Sequence, residues 1–157
     1  MEKTNVMRLL DANRISYVSH EYDKELTDGE QVARALSQDP DRVYKTLVTV
    51  GNNKHNYVFV IPVNRSLDLK KAAKAVNVKN IEMIKQKDLL PLTGYVHGGC
   101  SPIGMKKLFE TVINDTALLS ETITLSAGKK GWQVELSAKS LLGFIKGRYA
   151  DIVYCYG

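Results

Sequence analysis

Residues 93–107 read TGYVHGGCSPIGMKK, so that Gly98, Gly99 and Gly104 share one loop with His97, Cys100, Ser101, Pro102, Lys106 and Lys107. Glycines at such spacing let a ligand approach main-chain N–H groups, Ser101 adds a hydroxyl, and Pro102 stiffens the turn. The same glycines equally describe a tight structural turn, because most Gly and Pro clusters only punctuate a fold. Cys100 with His97 as its base has the residue types of a thiolate nucleophile. The two also have the spacing of a pair of zinc ligands, but no second pair lies near enough to complete a site, and neither a metal nor any other cofactor is expected.

The rest of the chain must position this loop. Its 157 residues, 44% apolar and 25% charged, suit one soluble domain with a proper core, here taken as residues 1–157. The longest apolar run, residues 57–63, is strand-sized and far short of a bilayer crossing. MEKTNVMRLL has no export signal, and two cysteines make no disulfide framework, so a cytoplasmic location is expected. The net charge of +5 fits a polyanionic partner, with lysines clustered at Lys70, Lys71 and Lys74, at Lys106 and Lys107, and at Lys129 and Lys130. On charge alone a solvated surface explains these clusters as well as nucleic-acid contact does.

Local patterns predict an irregular mixture of helices and strands. Thr4 caps a helix with Val6, Leu9 and Leu10 inward, and alternation through residues 15–22 predicts a strand. Thr27 and Glu30 form a capping-box pattern before a helix that residues 39–41 terminate. Residues 43–50 and 57–63 predict a hairpin, with Lys45, Leu47 and Thr49 on one face of its first strand. Asp68 caps a helix through Val76, residues 79–83 suggest a short strand, and residues 87–90 a helical turn. Strands are expected at residues 108–113, 122–126 and 132–136, the last two joined by a turn at residues 128–131. Ser137 then caps a helix over residues 139–146, and residues 152–154 return as an edge strand. Without clean βαβ units, the expected class is α+β, with a mixed, curled or barrel-like sheet flanked by helices.

Four segments, VYKTLVT at 43–49, LDLKKAAKAV at 67–76, TGYVHGGCSPIGMKK at 93–107 and LSAGKKG at 125–131, together resemble the YbaK/EbsC family of aminoacyl-tRNA deacylases. Their order and spacing match over nearly the whole chain, most closely the free-standing members that clear Cys-tRNA(Pro). The resemblance implies a trans-editing enzyme that removes cysteine from tRNA(Pro), with Cys-tRNA(Cys) as a further substrate and prolyl-tRNA synthetase as a partner. Such editing has a physical origin, since a prolyl pocket excludes a smaller side chain poorly.

The resemblance also implies that the substrate's thiol attacks its own ester carbonyl, giving a cyclic thiolactone and free tRNA. Lys45 matches the family's essential lysine, offsetting negative charge and positioning the ester; without the resemblance, a strand lysine snorkelling to water is the simpler reading. Main-chain donors from Gly98 and Gly99 would stabilise the oxyanion. Tyr22 matches a pocket tyrosine, and Ser101 and Ser126 fall in matching loops as contacts to the terminal adenosine or amino group; a core tyrosine and turn-completing serines are the alternatives. His97 and Cys100 stand where better-known members carry apolar residues, which keeps the enzyme-nucleophile reading open. Two other readings stay open, a non-catalytic tRNA-binding module and an Ala-tRNA(Pro) deacylase using activated water, although no carboxylate pair is evident to activate it.

Overall fold

In the computed structural model, which describes residues 2–155, Thr4 accepts a hydrogen bond from the Met7 N–H at 3.2 Å and so caps α1 (Asn5–Ala12), which buries Val6, Met7 and Leu10. The following strand, β1 (Tyr17–Glu21), is shorter than alternation predicts. Ile15 belongs to the end of the helix, where Arg14 takes a left-handed conformation and the Ile15 N–H returns to the Leu10 carbonyl. The capping box at Thr27 does not form. Helix α2 (Gly29–Ala35) has Asp28 at its N-cap, which puts Glu30 one position short of where a box needs it. A 3-10 turn at Pro40–Arg42 leads into β2 (Tyr44–Gly51) and β3 (Asn56–Pro62), the expected hairpin.

Asp68 caps α3 (Leu69–Ala75), accepting from the Lys70 and Lys71 N–H groups at 3.0 and 3.3 Å. After β4 (Ile81–Met83), the expected helical turn extends to α4 (Gln86–Thr93), which ends on Gly94 in the left-handed conformation. Strand β5 (Glu110–Asn114) starts two residues later than predicted and leaves Leu108 exposed, and a 3-10 turn at Asp115–Leu119 precedes β6 (Thr122–Ser126). Strand β7 (Trp132–Ser137), α5 (Ala138–Phe144) and β8 (Arg148–Ala150) follow, with the Ser137 hydroxyl capping α5 through the Ser140 N–H. The expected edge strand at 152–154 is not formed. The Asn114 side-chain oxygen takes the Ile152 N–H at 3.0 Å and Asp68 donates to the Ile152 carbonyl, so only an isolated bridge from Val153 to Leu67 forms. Strand β8 takes the edge, parallel to β5.

The class is α+β, as expected. Five strands in the order β4-β2-β3-β5-β8 form a mixed sheet, parallel at β3/β5 and β5/β8 and antiparallel elsewhere. Three antiparallel strands, β1-β7-β6, form a second sheet, joined to the first by one parallel bridge between Val43 and Thr124. Strand β3 is central. Val58 and Val60 enter the core shared with α1, β6, β7 and α5, while Tyr57, Phe59 and Ile61 enter the core under α3. Burial on both faces explains why this strand reads as an unbroken apolar run. None of the described helices is long and apolar enough to cross a membrane.

Candidate active site

Strand β2 has two neighbours on the edge facing away from β3. Its C-terminal residues pair with β4, and the Ile84 N–H continues that contact to the Val48 carbonyl at 3.3 Å. At its N-terminal end Val43 bridges to Thr124 of the other sheet. The two junctions diverge, and the wedge between them is a cavity of about 500 Å³ walled by β2, the segment before α2, the start of α4 and the glycine loop. Thr46 lies in the gap. Bonds from Ile84 to Val48 and from Asn52 to the Asn80 carbonyl show that even-numbered residues of β2 turn their peptide groups toward this edge, where Thr46 has no strand partner among the described residues. Its buried hydroxyl oxygen is also unpartnered.

Lys45 emerges from the same strand, half-buried, with its ammonium 3.5 Å from the Val63 carbonyl. Val63 is pinned from behind. A Cβ on Gly29 would lie 2.6 Å from the Val63 Cγ1, so the missing side chain lets the first turn of α2 rest on Val63. Both residues line the cavity, as does Asp28, the only carboxylate among the described residues of its lining. Lys45 therefore stands in a mostly apolar cleft where its charge is felt more strongly than in water.

Tyr22 and Ser126 reach the cavity from the smaller sheet. The Tyr22 N–H donates to the Gly131 carbonyl at 2.8 Å, which fastens it beside the 128–131 turn, and Ser126 closes β6 with its hydroxyl accepting from the Gly128 N–H at 3.0 Å. Ser126 pairs directly with Gln133 on β7, and this buried glutamine also lines the cavity. Gln38, at the end of α2, donates its amide to the Gln133 Oε1 at 3.0 Å and so fixes the orientation of that carboxamide. Gln133 and Thr46 are lining residues that the sequence reading missed. Counting back across the predicted 128–131 turn would have found Gln133 opposite Ser126, whereas nothing local marks Thr46.

The glycine loop divides the remaining candidates. Gly98, left-handed at φ +89°, lines the cavity together with His97 and Cys100. Gly99 and Ser101 do not reach it. The Gly99 N–H is engaged by the Val96 carbonyl at 3.0 Å, and the residue packs against the main chain of Lys129 and Lys130, so the expected pair of main-chain donors reduces to Gly98. Ser101 is fully buried with its hydroxyl accepting the Ile103 N–H at 3.2 Å, which makes it a support of the loop. Burial pushes the Cys100 thiol up to about 12, with a hydrogen bond to Thr93 acting weakly in the other direction. A thiol so placed stays protonated at neutral pH, contrary to what an enzyme nucleophile needs.

The arrangement places the Lys45 ammonium, the backbone of Gly98 and several hydroxyl and amide groups around a mostly apolar cleft, without a carboxylate pair among the described lining residues. A mostly apolar cleft with a few polar groups suits the binding of a small ester, and His97 and Asp28 are its candidate general bases. Comparison with known proteins places the chain in a family. The family model of the aminoacyl-tRNA editing domain matches residues 23–144. A protein of Enterococcus faecalis with the provisional name Cys-tRNA(Pro)/Cys-tRNA(Cys) deacylase EbsC is 44% identical over 153 residues, 96% of this chain and 93% of that one. Two crystal structures share the fold. One, of a candidate trans-editing enzyme for prolyl tRNA synthetase, has a TM-score of 0.83 at 20% identity, covering 99% of this chain and 100% of that one. The other, of a hypothetical protein, has a TM-score of 0.87 at 19% identity, covering 95% and 99%. The sequence match spans the cavity from the segment before α2 to the end of α5, and the chain belongs to the aminoacyl-tRNA editing family.

Proposed function

We propose that this chain is a trans-editing deacylase that releases cysteine from Cys-tRNA(Pro) and Cys-tRNA(Cys). The observation that carries the reading is the 44% identity to a relative provisionally named for that activity, sustained over almost the full length of both chains. The site chemistry is consistent with it. Lys45 and Gly98 both line the cavity, and in this reading the Lys45 ammonium and the Gly98 N–H meet the charge that develops on the attacked ester, while the nucleophile is left to the substrate.

In the proposed reaction, the substrate thiol sulfur forms a bond to its own carbonyl carbon, and the carbon–oxygen bond to the terminal ribose breaks. The thiol proton ends on the ribose hydroxyl, so the products are cysteine thiolactone and intact tRNA. Because thiol and ester sit on one residue, the enzyme's task is to hold them in a near-attack geometry, worth about 7–11 kcal/mol in favourable systems. Lys45 positions the ester and stabilises the oxyanion, and Tyr22 and Ser126 hold the amino group and terminal adenosine. The alanyl ester has no thiol, and Asp28 and His97 are the lining side chains that would have to activate water in its place.

The enzyme works in the cytoplasm on tRNA released by the synthetase, its residues 1–157 acting as one domain. A cavity of this size takes only the aminoacyl end, so the identity of the tRNA body is read elsewhere, with prolyl-tRNA synthetase as the partner that supplies it. The experiment is single-turnover release of amino acid from Cys-tRNA(Pro), Cys-tRNA(Cys) and Ala-tRNA(Pro), with wild type and Lys45→Ala. Turnover of both cysteinyl substrates alone, slowed about 10²–10³-fold in the variant, is expected. Release of alanine at a comparable rate would refute thiol assistance, and tight tRNA binding without turnover would reduce the chain to a binding module.

A further inference from the structure

We infer that Lys106 and Lys130 flank the glycine loop as a phosphate track for the single-stranded 3′ end of the tRNA, an inference that rests on the deacylase reading and specifies where its polymer lies. The two lysines come from segments distant in sequence, and each packs beside a glycine of the same loop segment. The Lys106 Cγ and Cε lie 3.5 and 3.6 Å from where a Cβ on Gly94 would stand, and the Lys130 Cε lies 3.3 Å from the corresponding point at Gly98. Both glycines are left-handed, at φ +88° and +89°, and present bare backbone on which an aliphatic lysine stem can rest. One lysine thus lies on each end of the segment that carries His97 and Gly98 into the cavity wall.

These charges are not neutralised within the fold. The ion pairs among the described residues engage Lys3, His20, Lys71 and Arg148 instead. The Lys106 ammonium lies 3.3 Å from the Pro91 carbonyl near the end of α4, a main-chain contact that locates the charge without cancelling it. The opposite side of the 128–131 turn differs. Lys24 packs against Gly131 there, with the acidic Asp23 and Glu25 as its sequence neighbours. Net positive charge in this region therefore lies at Lys130 and Lys106, on either end of the loop segment, while acidic neighbours flank Lys24 in sequence.

The geometry of the substrate supplies the occupant. With the aminoacyl group and terminal ribose in the cavity, the phosphates that follow must leave past its rim, and these belong to the unpaired end of the acceptor arm. Flexible single-stranded backbone contacted by lysines releases counterions, which gives a salt slope of about −0.7 per neutralised phosphate.

The test compares wild type with Lys106→Gln, Lys130→Gln and the double variant. Readouts are binding of uncharged tRNA, deacylation of Cys-tRNA(Pro), and cleavage of 3′-O-cysteinyl adenosine, an ester without phosphate. For the double variant we expect a roughly tenfold weaker tRNA affinity and a corresponding rise in KM, with kcat within twofold. Its salt slope should be shallower by about 1.4, the sum of two single-strand contacts. Cleavage of the adenosine ester should be unchanged. An unchanged salt slope would overturn the inference, as would equal losses on the ester and on tRNA, because the lysines would then merely shape the loop. Trimming the four unpaired 3′ nucleotides should erase the difference between wild type and variant; a persistent difference would place the lysines on the duplex and refute the track. If the wild type cleaves neither substrate, the deacylase reading fails by itself, while the binding arm still decides the track.

Discussion

The Lys45 ammonium donates to the Val63 carbonyl over 3.5 Å, and Val63 is in turn the residue on which the first turn of α2 rests through Gly29. The cation of the cleft is therefore oriented by a neighbouring strand end and a helix start rather than by a carboxylate. A lysine held by one long hydrogen bond keeps N–H donors for a ligand. Replacing it with alanine should lower the single-turnover rate on Cys-tRNA(Pro) about 10²–10³-fold, the range for removing one preorganised oxyanion donor. Thermal unfolding should barely move, since the side chain is only half-buried. A loss confined to tRNA affinity would assign Lys45 to binding alone.

Gly29 tests the same relationship from the other side. A methyl at this position meets the Val63 Cγ1 at 2.6 Å and its Cβ at 2.9 Å, so either α2 or Val63 must shift. Gly29→Ala should destabilise the fold by about 1–3 kcal/mol in urea unfolding, as overpacking does. It should also slow deacylation, because the shift reaches the carbonyl that orients Lys45. A stable, fully active variant would show that Val63 does not set the geometry of the lysine.

Thr46 separates stability from activity. A buried hydroxyl without a partner costs about 1–3 kcal/mol, and valine has nearly the same shape and suits a strand. Thr46→Val should raise the unfolding midpoint while reducing kcat/KM on Cys-tRNA(Pro) about tenfold, if the hydroxyl's partner is the substrate. Gains in both would make Thr46 a packing defect instead.

The buried acids of the loop give the protein an alkaline limit. Burial pushes both the Cys100 thiol and the Tyr95 hydroxyl up to about 12, from ordinary values of 9.0 and 10.0. Tyr95 donates its hydroxyl to the Ile103 carbonyl inside the loop. Above pH 9 the unfolded chain loses protons that the native state retains, so stability is fully present below that pH and falls as pH rises toward 12. Urea midpoints should decline over this window, and Cys100→Ala and Tyr95→Phe should each flatten the decline. Cys100→Ala should also keep deacylase activity at pH 7, whereas its loss would restore the enzyme-nucleophile reading.

Much of the fold was legible because the signals that specify it are local. Thr4, Asp68 and Ser137 cap helices by bonding main-chain groups two or three residues on, and glycines at 128 and 131 bracket the turn between β6 and β7. Such interactions depend on near neighbours, and so they can be read without knowing the rest of the chain. The errors fall where a distant group intervenes. Asn114 captures Ile152 before it can join an edge strand, and contact with Val63 comes where α2 begins at Gly29 and leaves Thr27 outside its cap.

By itself the sequence determined the class, most of the elements, the family resemblance and the candidates Lys45, Tyr22, Gly98 and Ser126 that line one cavity. Only the tertiary structure decided that this cavity is the wedge where two sheets part from β2. It also turned Gly99 and Ser101 inward as supports, and it added Thr46 and Gln133 to the wall. The reason is physical. A cavity exists where long-range pairings fail to cover an edge, and Lys130 lies beside Gly98 only because one loop packs against another; neither relation leaves a trace in local spacing.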